Sequence, residues 1–439
     1  MPALPPGPRS MLLTSFAVMR EPIGAMTRAR DKYGDPFTLP LAHGNLVLTA
    51  DPRLAREVFA ITDVDLFDTF GSTTLTPLFG QHSLLLMAGE PHRRERKLLL
   101  PPFHGERMRA FGATMADATR RALATVAPGQ EFRALDLGLK VSLEVIIRAV
   151  YGVEERALVE RHTAALVAML DAALPIFNAA EVFQRAPFGL GPWAKFLHRS
   201  DEVDCLLYEQ IDRVRERASA RDDILSMMLN ARYEDGSRMT DRDIRDELRT
   251  LLIAGHETTA TTFAAALEEL HRPENAHVRA RLHDELAHAS DAPEELARLP
   301  YLGAVIDETL RLHPVVEMVL RRLRRPWRLG DYELPAGTAV GVALPLVHQR
   351  ADLYPDPTRF EPQRMLDRKP GASEFVPFGG GNRRCLGAAL SLYELRIALA
   401  VTMREATLAL REPKPVPIVR RRITLGPETG VRMQRVSGG

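Results

Sequence analysis

A glycine-rich loop that leads to a cysteine constrains this chain more than any other segment. It reads Phe378-Gly-Gly-Gly-Asn-Arg-Arg-Cys-Leu-Gly387 and contains Cys385, one of two cysteines, next to Arg384. Residues 386–397 show a helical pattern, so a thiolate at Cys385 lies among cations and at a helix N-terminus, which both favour the anion. Three successive glycines cost backbone entropy unless a positive φ or a close approach is needed. The loop therefore predicts a stabilised thiolate with room beside it for a large, flat group.

Composition and charge exclude several classes of protein. The chain has 439 residues, of which 45% are hydrophobic and 26% charged, and its net charge is +1. This composition can bury a large core, and the balanced charge gives no reason to expect a nucleic-acid partner. Two cysteines far apart in the sequence cannot form a disulfide framework and suit a reducing compartment. Because we find no linker, repeat or low-complexity tract, we expect a single domain over residues 1–439.

Residues 1–20 are expected to form an N-terminal lead-in without a membrane anchor. The apolar stretch 11–19 is far shorter than the roughly 20 residues that a bilayer-spanning helix needs. Pro5 and Pro6 ahead of it favour a stiff, extended segment. We therefore expect a cytoplasmic protein.

The apolar spacing predicts a mainly α fold with a small β region. Residues 37–49 alternate around a turn and predict a hairpin, after which Asp51 and Pro52 open a helix. Most of residues 89–290 follow helical spacing. Short strands separated by glycine and proline turns follow Pro314.

One predicted helix is unusually long and has an unusual centre. It starts with a capping-box pattern at Thr240 and continues for about 30 residues to His271. Its middle reads Ala254-Gly-His-Glu-Thr-Thr259, in which glycine and threonine weaken the helical hydrogen bonds and allow a bulge that accepts a small ligand. A carboxylate beside a hydroxyl is also a proton relay, which the splitting of dioxygen requires.

The cysteine loop resembles the signature of the cytochrome P-450 superfamily, the heme-thiolate monooxygenases. It matches the pattern Phe-Gly-x-Gly-x-Arg-x-Cys-x-Gly, with Phe378, Arg383, Cys385 and Gly387 at fixed positions. The resemblance implies that heme b is the cofactor and that Cys385 is the axial ligand of its iron. In that family the thiolate favours O–O cleavage.

The centre of the long helix resembles the oxygen-activation motif of the same family, Ala/Gly-Gly-x-Asp/Glu-Thr-Thr/Ser. The resemblance implies that O2 is a co-substrate and that Glu257 and Thr258 are catalytic, the first as the acid and the second as the alcohol. His256 occupies the variable position, and we assign it no role. The implied fold is one triangular, mainly α domain with the heme between the long central helix and the cysteine loop.

A buried charge network is also implied. Glu-x-x-Arg occurs six times in the chain, so the spacing alone identifies none of these pairs. However, Glu308-Thr-Leu-Arg311-Leu-His-Pro resembles a characteristic helix segment of the family, and Arg364 lies in a segment that resembles its Pro-Glu-Arg-Phe element. The resemblance implies that Glu308, Arg311 and Arg364 together hold the region behind the heme.

The two propionates of a heme need cations. His92 and Arg96 share one helix face at i, i+4 spacing, in a segment that resembles the family's propionate-binding helix. Arg321 resembles a further propionate ligand, although a shift of one residue along the strand would exchange it with Arg322. Arg383 of the cysteine loop completes the implied set.

The stretches that correspond to the family's substrate pocket are largely apolar, which is the usual character of a ligand site. The candidate pocket residues are Phe67, Phe70, Leu84, Leu85, Met169, Phe177, Ala254, Val315, Val319 and Leu425. They favour a lipid-like substrate, such as a fatty acid, a terpenoid or a steroid.

Electrons are expected to come from separate proteins. The 54 residues after Cys385 carry no flavin or ferredoxin module, so the resemblance implies a ferredoxin and a ferredoxin reductase. Arg93, Arg94 and Lys97 lie on another face of their helix than the propionate ligands. We expect them to be free to meet an acidic ferredoxin, together with Arg384. The protein is expected to be a monomer.

Two other functions stay open at this stage. One is a heme-thiolate enzyme of another reaction class, either a peroxide-driven peroxygenase or an isomerase or dehydratase that needs no dioxygen. The intact Glu257-Thr258 pair argues against it, since such members commonly lose the pair. The other is a non-catalytic heme sensor or carrier, for which the sequence shows no effector segment.

Overall fold

Helices dominate the structure, as the apolar spacing predicts. The computed structural model describes residues 4–41, 44–63, 65–69, 72–103, 105–174, 177, 183–412, 414–421 and 424–436. Phe70, one of the candidate pocket residues, lies outside the described residues. Among the described residues, no helix has the length and apolar character needed to cross a bilayer.

The α-helices of the described chain vary widely in length. They are α1 (Met11–Arg20), α2 (Pro22–Tyr33), α3 (Pro52–Phe59), α4 (Ser72–Phe79), α5 (Gly89–Leu99), α6 (Gly112–Ala124), α7 (Ala134–Val145), α8 (Arg156–Ala172), α9 (Pro192–Arg215), α10 (Ile224–Asn230), α11 (Asp241–His271), α12 (Ala276–Ala287), α13 (Pro293–Leu296), α14 (Pro300–Leu312), α15 (Leu344–His348), α16 (Gln363–Asp367) and α17 (Ala388–Glu405).

The strands of the described chain are short. They are β1 (Phe37–Leu41), β2 (Gly44–Thr49), β3 (Phe67–Asp68), β4 (Glu131–Arg133), β5 (Met318–Leu323), β6 (Trp327–Leu329), β7 (Tyr332–Leu334), β8 (Ala339–Ala343), β9 (Leu408–Leu410), β10 (Ile418–Arg420), β11 (Leu425–Pro427) and β12 (Arg432–Arg435). The largest sheet has the order β1-β2-β8-β5-β3, in which β2 and β8 are parallel and the other neighbours antiparallel. The remaining strands form β4-β12-β9 and the pairs β6-β7 and β10-β11.

The first hairpin and helix follow the local sequence signals closely. β1 and β2 pair around the predicted turn, with Phe37 opposite Leu48. The side chain of Asp51 accepts a hydrogen bond from the N–H of Arg53 at 2.7 Å and so caps α3. Pro52 fills the first position of that helix, where a missing N–H costs nothing.

The long helix α11 begins and ends where the sequence predicts. The hydroxyl of Thr240 and the carboxylate of Asp243 form a reciprocal capping box. The helix has 31 residues and ends at His271. In contrast, the helix after the cysteine loop begins at Ala388 and ends at Glu405, later at both ends than the predicted 386–397. Its buried apolar face continues beyond residue 397, which lengthens it.

The packing of these helices fixes where the cysteine loop lies. α11 packs against α7 and α17, and α17 packs against α6. A second apolar core lies between the largest sheet and the helices α2 and α3. Since the cysteine loop contacts α3 on one side and leads into α17 on the other, it joins the two cores beside α11.

Candidate active site

The cysteine loop has a backbone geometry that requires glycine. Gly381 has a φ of 63°, and a Cβ there would collide with the carbonyl oxygen of Phe59. A Cβ at Gly380 would lie 2.5 Å from the ring of the same phenylalanine. The N–H of Cys385 donates to the carbonyl of Phe378 at 3.0 Å and closes the loop. The glycines therefore serve a close contact with α3 as well as the approach to the sulfur.

The sulfur of Cys385 is accessible, yet protein atoms surround it closely. Burial raises the pKa of the Cys385 thiol, whereas the N–H groups of Gly387 and Ala388 and the guanidinium groups of Arg96 and Arg384 lower it. From this combination of exposure and desolvation we infer that Cys385 lies at the base of a cleft. A Cβ at Gly387 would meet no described atom within 4 Å, so there is open space two residues after the cysteine. A bound metal cation would overcome the effect of burial and hold the thiolate.

The four predicted propionate ligands form one cluster, in which three arginines carry positive charge around His92. Burial lowers the pKa of His92 to about 3, and the nearby Arg383, Arg96 and Arg321 lower it further. Burial next to Arg383 lowers the pKa of Arg321 to about 10, and burial next to Arg96 lowers the pKa of Arg383 to about 10. Buried cations that repel one another are stabilised when an anion lies among them. This donor set fits the two carboxylates of a heme.

The structure distinguishes Arg321 from its neighbour Arg322. Successive side chains of a strand point to opposite faces, so one of the two faces the cluster. Arg321 is 8% exposed, and its guanidinium lies 5.3 Å from the ring centroid of Phe67. Arg322 lies opposite Asp68 in the register of β3 and β5, whereas Arg321 is among the cations that lower the pKa of His92. Arg321 is therefore the residue on the cluster side.

The centre of α11 stays helical through the motif. Residues 254–259 are continuous α-helix, without the bulge that their composition allows. The hydroxyl of Thr258 donates to the carbonyl of Ala254 at 2.6 Å, and the hydroxyl of Ser142 donates to the carbonyl of Gly255 at 3.3 Å. These two hydroxyls bond to backbone carbonyls in the part of the helix that glycine and threonine weaken, and the helix continues through it. Thr258 and the exposed Ala254 share one face of α11.

The adjacent acid contacts a residue that the sequence analysis missed. Glu257 is 7% exposed, and its Oε1 lies 3.8 Å from Nε of Arg421. Arg421 lies at the turn between β10 and β11, where its N–H donates to the carbonyl of Thr424 at 2.9 Å. The run of three arginines at 420–422 was a signal, but nothing local in it indicates a contact with α11.

The cytochrome P-450 family profile matches residues 2–431 of this chain. The chain belongs to the cytochrome P-450 family. Membership implies a heme-thiolate cofactor, the use of O2 and a supply of electrons from redox partners. It agrees with the geometry of the thiolate loop, the cationic cluster and α11.

The similar proteins cover nearly the whole chain. Cytochrome P-450 135B1 of Mycobacterium tuberculosis is 34% identical over 440 residues, which are 98% of this chain and 91% of that protein. Cytochrome P-450 138 of the same species is 34% identical over 414 residues, which are 92% of this chain and 90% of that protein. Both proteins come from strain ATCC 25618 / H37Rv.

Two solved structures share the fold. Retinoic acid bound cyanobacterial CYP120A1 superimposes with a TM-score of 0.85 at 21% identity, covering 98% of this chain and 99% of that one. The heme domain of cytochrome P450DA superimposes with a TM-score of 0.84 at 22% identity, covering 100% of this chain and 98% of that one. These likenesses confirm a mainly helical cytochrome P-450 fold with small sheets.

An apolar cavity of this P-450 fold lies between α8, α9 and α11. Its lining consists of Thr74, Pro77, Leu78, Leu170, Ala173, Leu174, Phe177, Gln184, Trp193, Phe196, Ile253, His256 and Glu257. Trp193 packs edge-on against Phe177, with ring centroids 4.9 Å apart. The ring centroid of Phe196 lies 5.1 Å from that of Trp193. The sequence analysis selected Phe177 but missed both α9 aromatics, because helical spacing does not distinguish a cavity wall from a core.

The other candidate pocket residues lie in several environments. Phe67, Leu84, Met169, Val315 and Leu425 are buried, Val319 is half-buried, and Leu85 and Ala254 are exposed. The N–H of Leu425 donates to the carbonyl of Val315 at 2.8 Å, so two separate predicted stretches meet there. His256, to which we assigned no role, is buried with Nε2 3.2 Å from the carbonyl oxygen of Leu139.

The structure brings the three residues of the implied charge network together. Nε and Nη2 of Arg311 donate to the two carboxylate oxygens of Glu308, each at 2.8 Å. Nε of Arg364 donates to Glu308 Oε1 at 3.1 Å. Glu308 and Arg311 are both 0% exposed. Arg311 also donates to the carbonyls of His348 and Pro357, so the network ties α14 to two later segments.

The expectation that the basic face of α5 is free is wrong. Arg94 donates to Asp235 at 2.7 Å, and Lys97 pairs with Glu234. Arg93 pairs at 3.1 Å with the acid three residues before it. The acidic turn between α10 and α11 lies against α5 and neutralises Arg94 and Lys97. Local spacing could not show this, because Arg94 and Asp235 are 141 residues apart.

Proposed function

We propose that this chain is a monooxygenase that uses heme b to insert one oxygen atom from O2 into an apolar small molecule. The observation that carries the proposal is the convergence of the Cys385 sulfur and the cationic cluster on one cleft. Arg96 links the two, because its charge acts on the thiol of Cys385 and also on His92 and Arg383. A thiolate next to cations suited to two carboxylates matches the donor set that a heme-thiolate enzyme needs.

In this proposal each residue of the cleft has one role toward the cofactor. Cys385 ligates the iron, while Phe378 and Gly387 flank the sulfur. Arg96, Arg321 and Arg383 hold the propionates by charge, and His92, which is neutral because its pKa is about 3, does so by a hydrogen bond. The heme, when bound, supplies the activation of dioxygen.

Thr258 and Glu257 then manage protons on the α11 side of the cleft. The Thr258 hydroxyl keeps its proton in a 2.6 Å hydrogen bond to Ala254 O and can turn it toward the cleft. Glu257 precedes Thr258 in the chain and is buried near Arg421. In this proposal its carboxylate passes protons between solvent and the Thr258 hydroxyl. General acid catalysis of this kind contributes roughly 10²–10⁴-fold to rate.

The proposed substrate is lipid-like, such as a fatty acid, a terpenoid or a steroid. The cavity beside α11 supports this class, because aromatic and aliphatic side chains form most of its wall. The solved structure of CYP120A1 contains retinoic acid, a molecule of the same class. Hydroxylation and epoxidation are both compatible with such a substrate.

We further propose that a ferredoxin and its reductase supply the electrons to a single-domain, monomeric, cytoplasmic protein. Family membership supports separate redox partners. The exposed guanidinium of Arg384, beside Cys385, offers a positive charge near the sulfur. The paired cations of α5 are not part of this proposed surface.

The ligand assignment is tested by the carbon monoxide complex of the reduced protein. We expect the red-shifted Soret band of a thiolate-ligated heme in the wild type and its loss in Cys385→Ser. Cys205, an exposed cysteine on α9, provides the matched control, so Cys205→Ser should keep the band. Loss of the band in the Cys205 variant alone would transfer the ligand role to that residue.

The reaction class is tested by comparing electron sources. A spin-state screen of apolar compounds identifies a ligand, which is then incubated with a ferredoxin and reductase or with hydrogen peroxide. We expect oxygenated product with the reductase system. Product with peroxide alone would favour a peroxygenase. An isomerised or dehydrated product without O2 would favour the other heme-thiolate classes, and binding without product a sensor or carrier.

A further inference from the structure

Helix α1 turns its apolar side chains away from the protein. Its buried residues are Thr14 and Val18. The large side chains on the other side are exposed, at 45% for Met11, 77% for Leu12, 73% for Leu13, 60% for Phe16 and 63% for Met19. We call these five residues the apolar face of α1. A water-exposed helix normally has the opposite arrangement, so this face indicates an apolar partner.

Packing of its other side fixes the orientation of α1. Within the helix, the hydroxyl of Ser10 caps the first turn by accepting from the N–H of Leu13 at 3.3 Å, and the hydroxyl of Thr14 donates to the carbonyl of Ser10 at 2.7 Å. The helix packs against α2, β1 and β10. Ile418 of β10, which is 36% exposed, adds a further apolar side chain on the strand that α1 contacts. Because α1 packs on the protein through its other side, the five large side chains of its apolar face stay exposed.

Arginines stand at both ends of this face, and Glu21, the nearest acid along the chain, pairs with Arg28 at 3.0 Å. Residues 1–20 contain two arginines and no acidic residue. Arg9 and Arg20 are exposed at the two ends of α1, and neither forms an ion pair with a described residue. An apolar helix face bordered by unpaired cations is suited to a surface that is apolar inside and negatively charged outside.

We propose that the apolar face of α1 docks on the surface of a lipid bilayer that contains anionic headgroups. The helix lies in the plane of the interface, with its apolar face among the acyl chains and Arg9 and Arg20 at the phosphates. It does not cross the bilayer, because its 10 residues span only about 15 Å of a hydrocarbon core roughly 30 Å thick. The docking is peripheral and independent of the heme.

A second copy of the chain fits this surface less well. At roughly 200 Å² for each fully exposed side chain, the apolar face offers about 600 Å², below the roughly 800 Å² per partner of a standard interface. Two copies related by a twofold axis across antiparallel helices would also bring Arg9 of one near Arg20 of the other. Like charges in an interface disfavour that pairing.

Co-sedimentation with vesicles tests the proposal on the heme-loaded protein. The vesicles contain phosphatidylcholine alone or equal parts of phosphatidylcholine and phosphatidylglycerol. We expect the wild type to bind the anionic vesicles, and Leu12→Ser/Phe16→Ser to bind them at least about tenfold more weakly. Leu366→Ser removes a leucine that is 40% exposed on α16, and it should bind like the wild type.

A charge variant tests the contribution of Arg9 and Arg20 separately from that of the apolar face. Arg9→Gln/Arg20→Gln should lose the preference for phosphatidylglycerol and much of the sensitivity to salt, while keeping its carbon monoxide spectrum. Wild-type protein that sediments with neither kind of vesicle would overturn the proposal. So would a concentration-dependent dimer that Leu12→Ser/Phe16→Ser abolishes without any change in vesicle binding, since the occupant would then be a second copy.

Discussion

The carboxylate of Glu257 lies 3.8 Å from the guanidinium of Arg421, which connects the centre of α11 to the hairpin of β10 and β11. A Cβ at Gly426 of this hairpin would lie 2.8 Å from Cδ of Arg421 and 3.5 Å from the hydroxyl oxygen of Thr261 on α11. The hairpin therefore packs closely on the helix that carries the proposed proton relay. Its arginine restrains the acid next to Thr258.

Replacement of Arg421 should impair the use of electrons while sparing the heme. In Arg421→Gln the carboxylate of Glu257 loses a cation that holds it in place, so proton delivery becomes less ordered. We expect product per consumed reduced nicotinamide to fall by about threefold, well below the effect of losing a general acid, because the substitution keeps Glu257 and Thr258. Arg421→Lys keeps the charge and should recover most of the yield. Unchanged yield in Arg421→Gln would show that the ion pair has no part in the reaction.

Removal of the Thr258 hydroxyl should uncouple electron use from product formation. Thr258→Ala leaves the cationic cluster and Cys385 untouched, so its carbon monoxide spectrum should match the wild type. Because protons no longer arrive in order, we expect at least about tenfold less product per electron pair and a matching rise in hydrogen peroxide.

A matched control for this variant lies one turn along the same helix. The hydroxyl of Thr262 donates to the carbonyl of Thr258 at 3.2 Å and is buried. Thr262→Ala should therefore keep its yield, and Thr258→Ser should recover the lost yield by restoring a hydroxyl. Full coupling in Thr258→Ala would place the proton route elsewhere.

The sequence predicts those parts of the molecule in which local signals and the fold agree. The capping box at Thr240, the cap and proline at Asp51 and Pro52, and the glycines around Cys385 each act within a few residues. Their structures could be predicted because the physical cause and its effect lie in the same short segment.

Contacts between distant segments could not be predicted in this way. Arg421 meets Glu257, and Asp235 meets Arg94, across more than a hundred residues. No periodicity or motif encodes such a pair, because the fold alone decides which surfaces meet. The same reason explains the missed cavity wall at Trp193, which follows helical spacing like any core residue. Arg321 and Arg322 likewise could be distinguished only from the register of β5 and the burial of Arg321.

The buried network should contribute far more to stability than an exposed Glu-x-x-Arg pair. Glu308→Gln leaves Arg311, which is 0% exposed, without its carboxylate, and should lower the free energy of unfolding by about 3 kcal/mol. Glu90 and Arg93 have the same spacing but are 60% and 72% exposed, so Arg93→Ala should cost at most about 0.5 kcal/mol. Urea unfolding followed by circular dichroism measures both. Equal effects of the two substitutions would contradict the distinction.

Glu394 of α17 should make the stability of the protein depend on pH. It is 5% exposed, burial raises its pKa from 4.5 to about 8, and a hydrogen bond with Ser142 opposes part of that rise. Between pH 4.5 and about 8 the folded chain keeps this proton while the unfolded chain loses it, so stability falls as pH rises through that window. Above about 8 the penalty stays constant.

Glu394→Gln replaces the carboxyl group with a neutral amide that can still bond to Ser142. The difference in free energy of unfolding between Glu394→Gln and the wild type should therefore rise by a few kcal/mol from pH 5 to 8 and then level off. Each unit of pKa shift corresponds to about 1.4 kcal/mol. A Glu394→Gln difference that is flat over this range would show that Glu394 does not hold a proton in the folded protein at neutral pH.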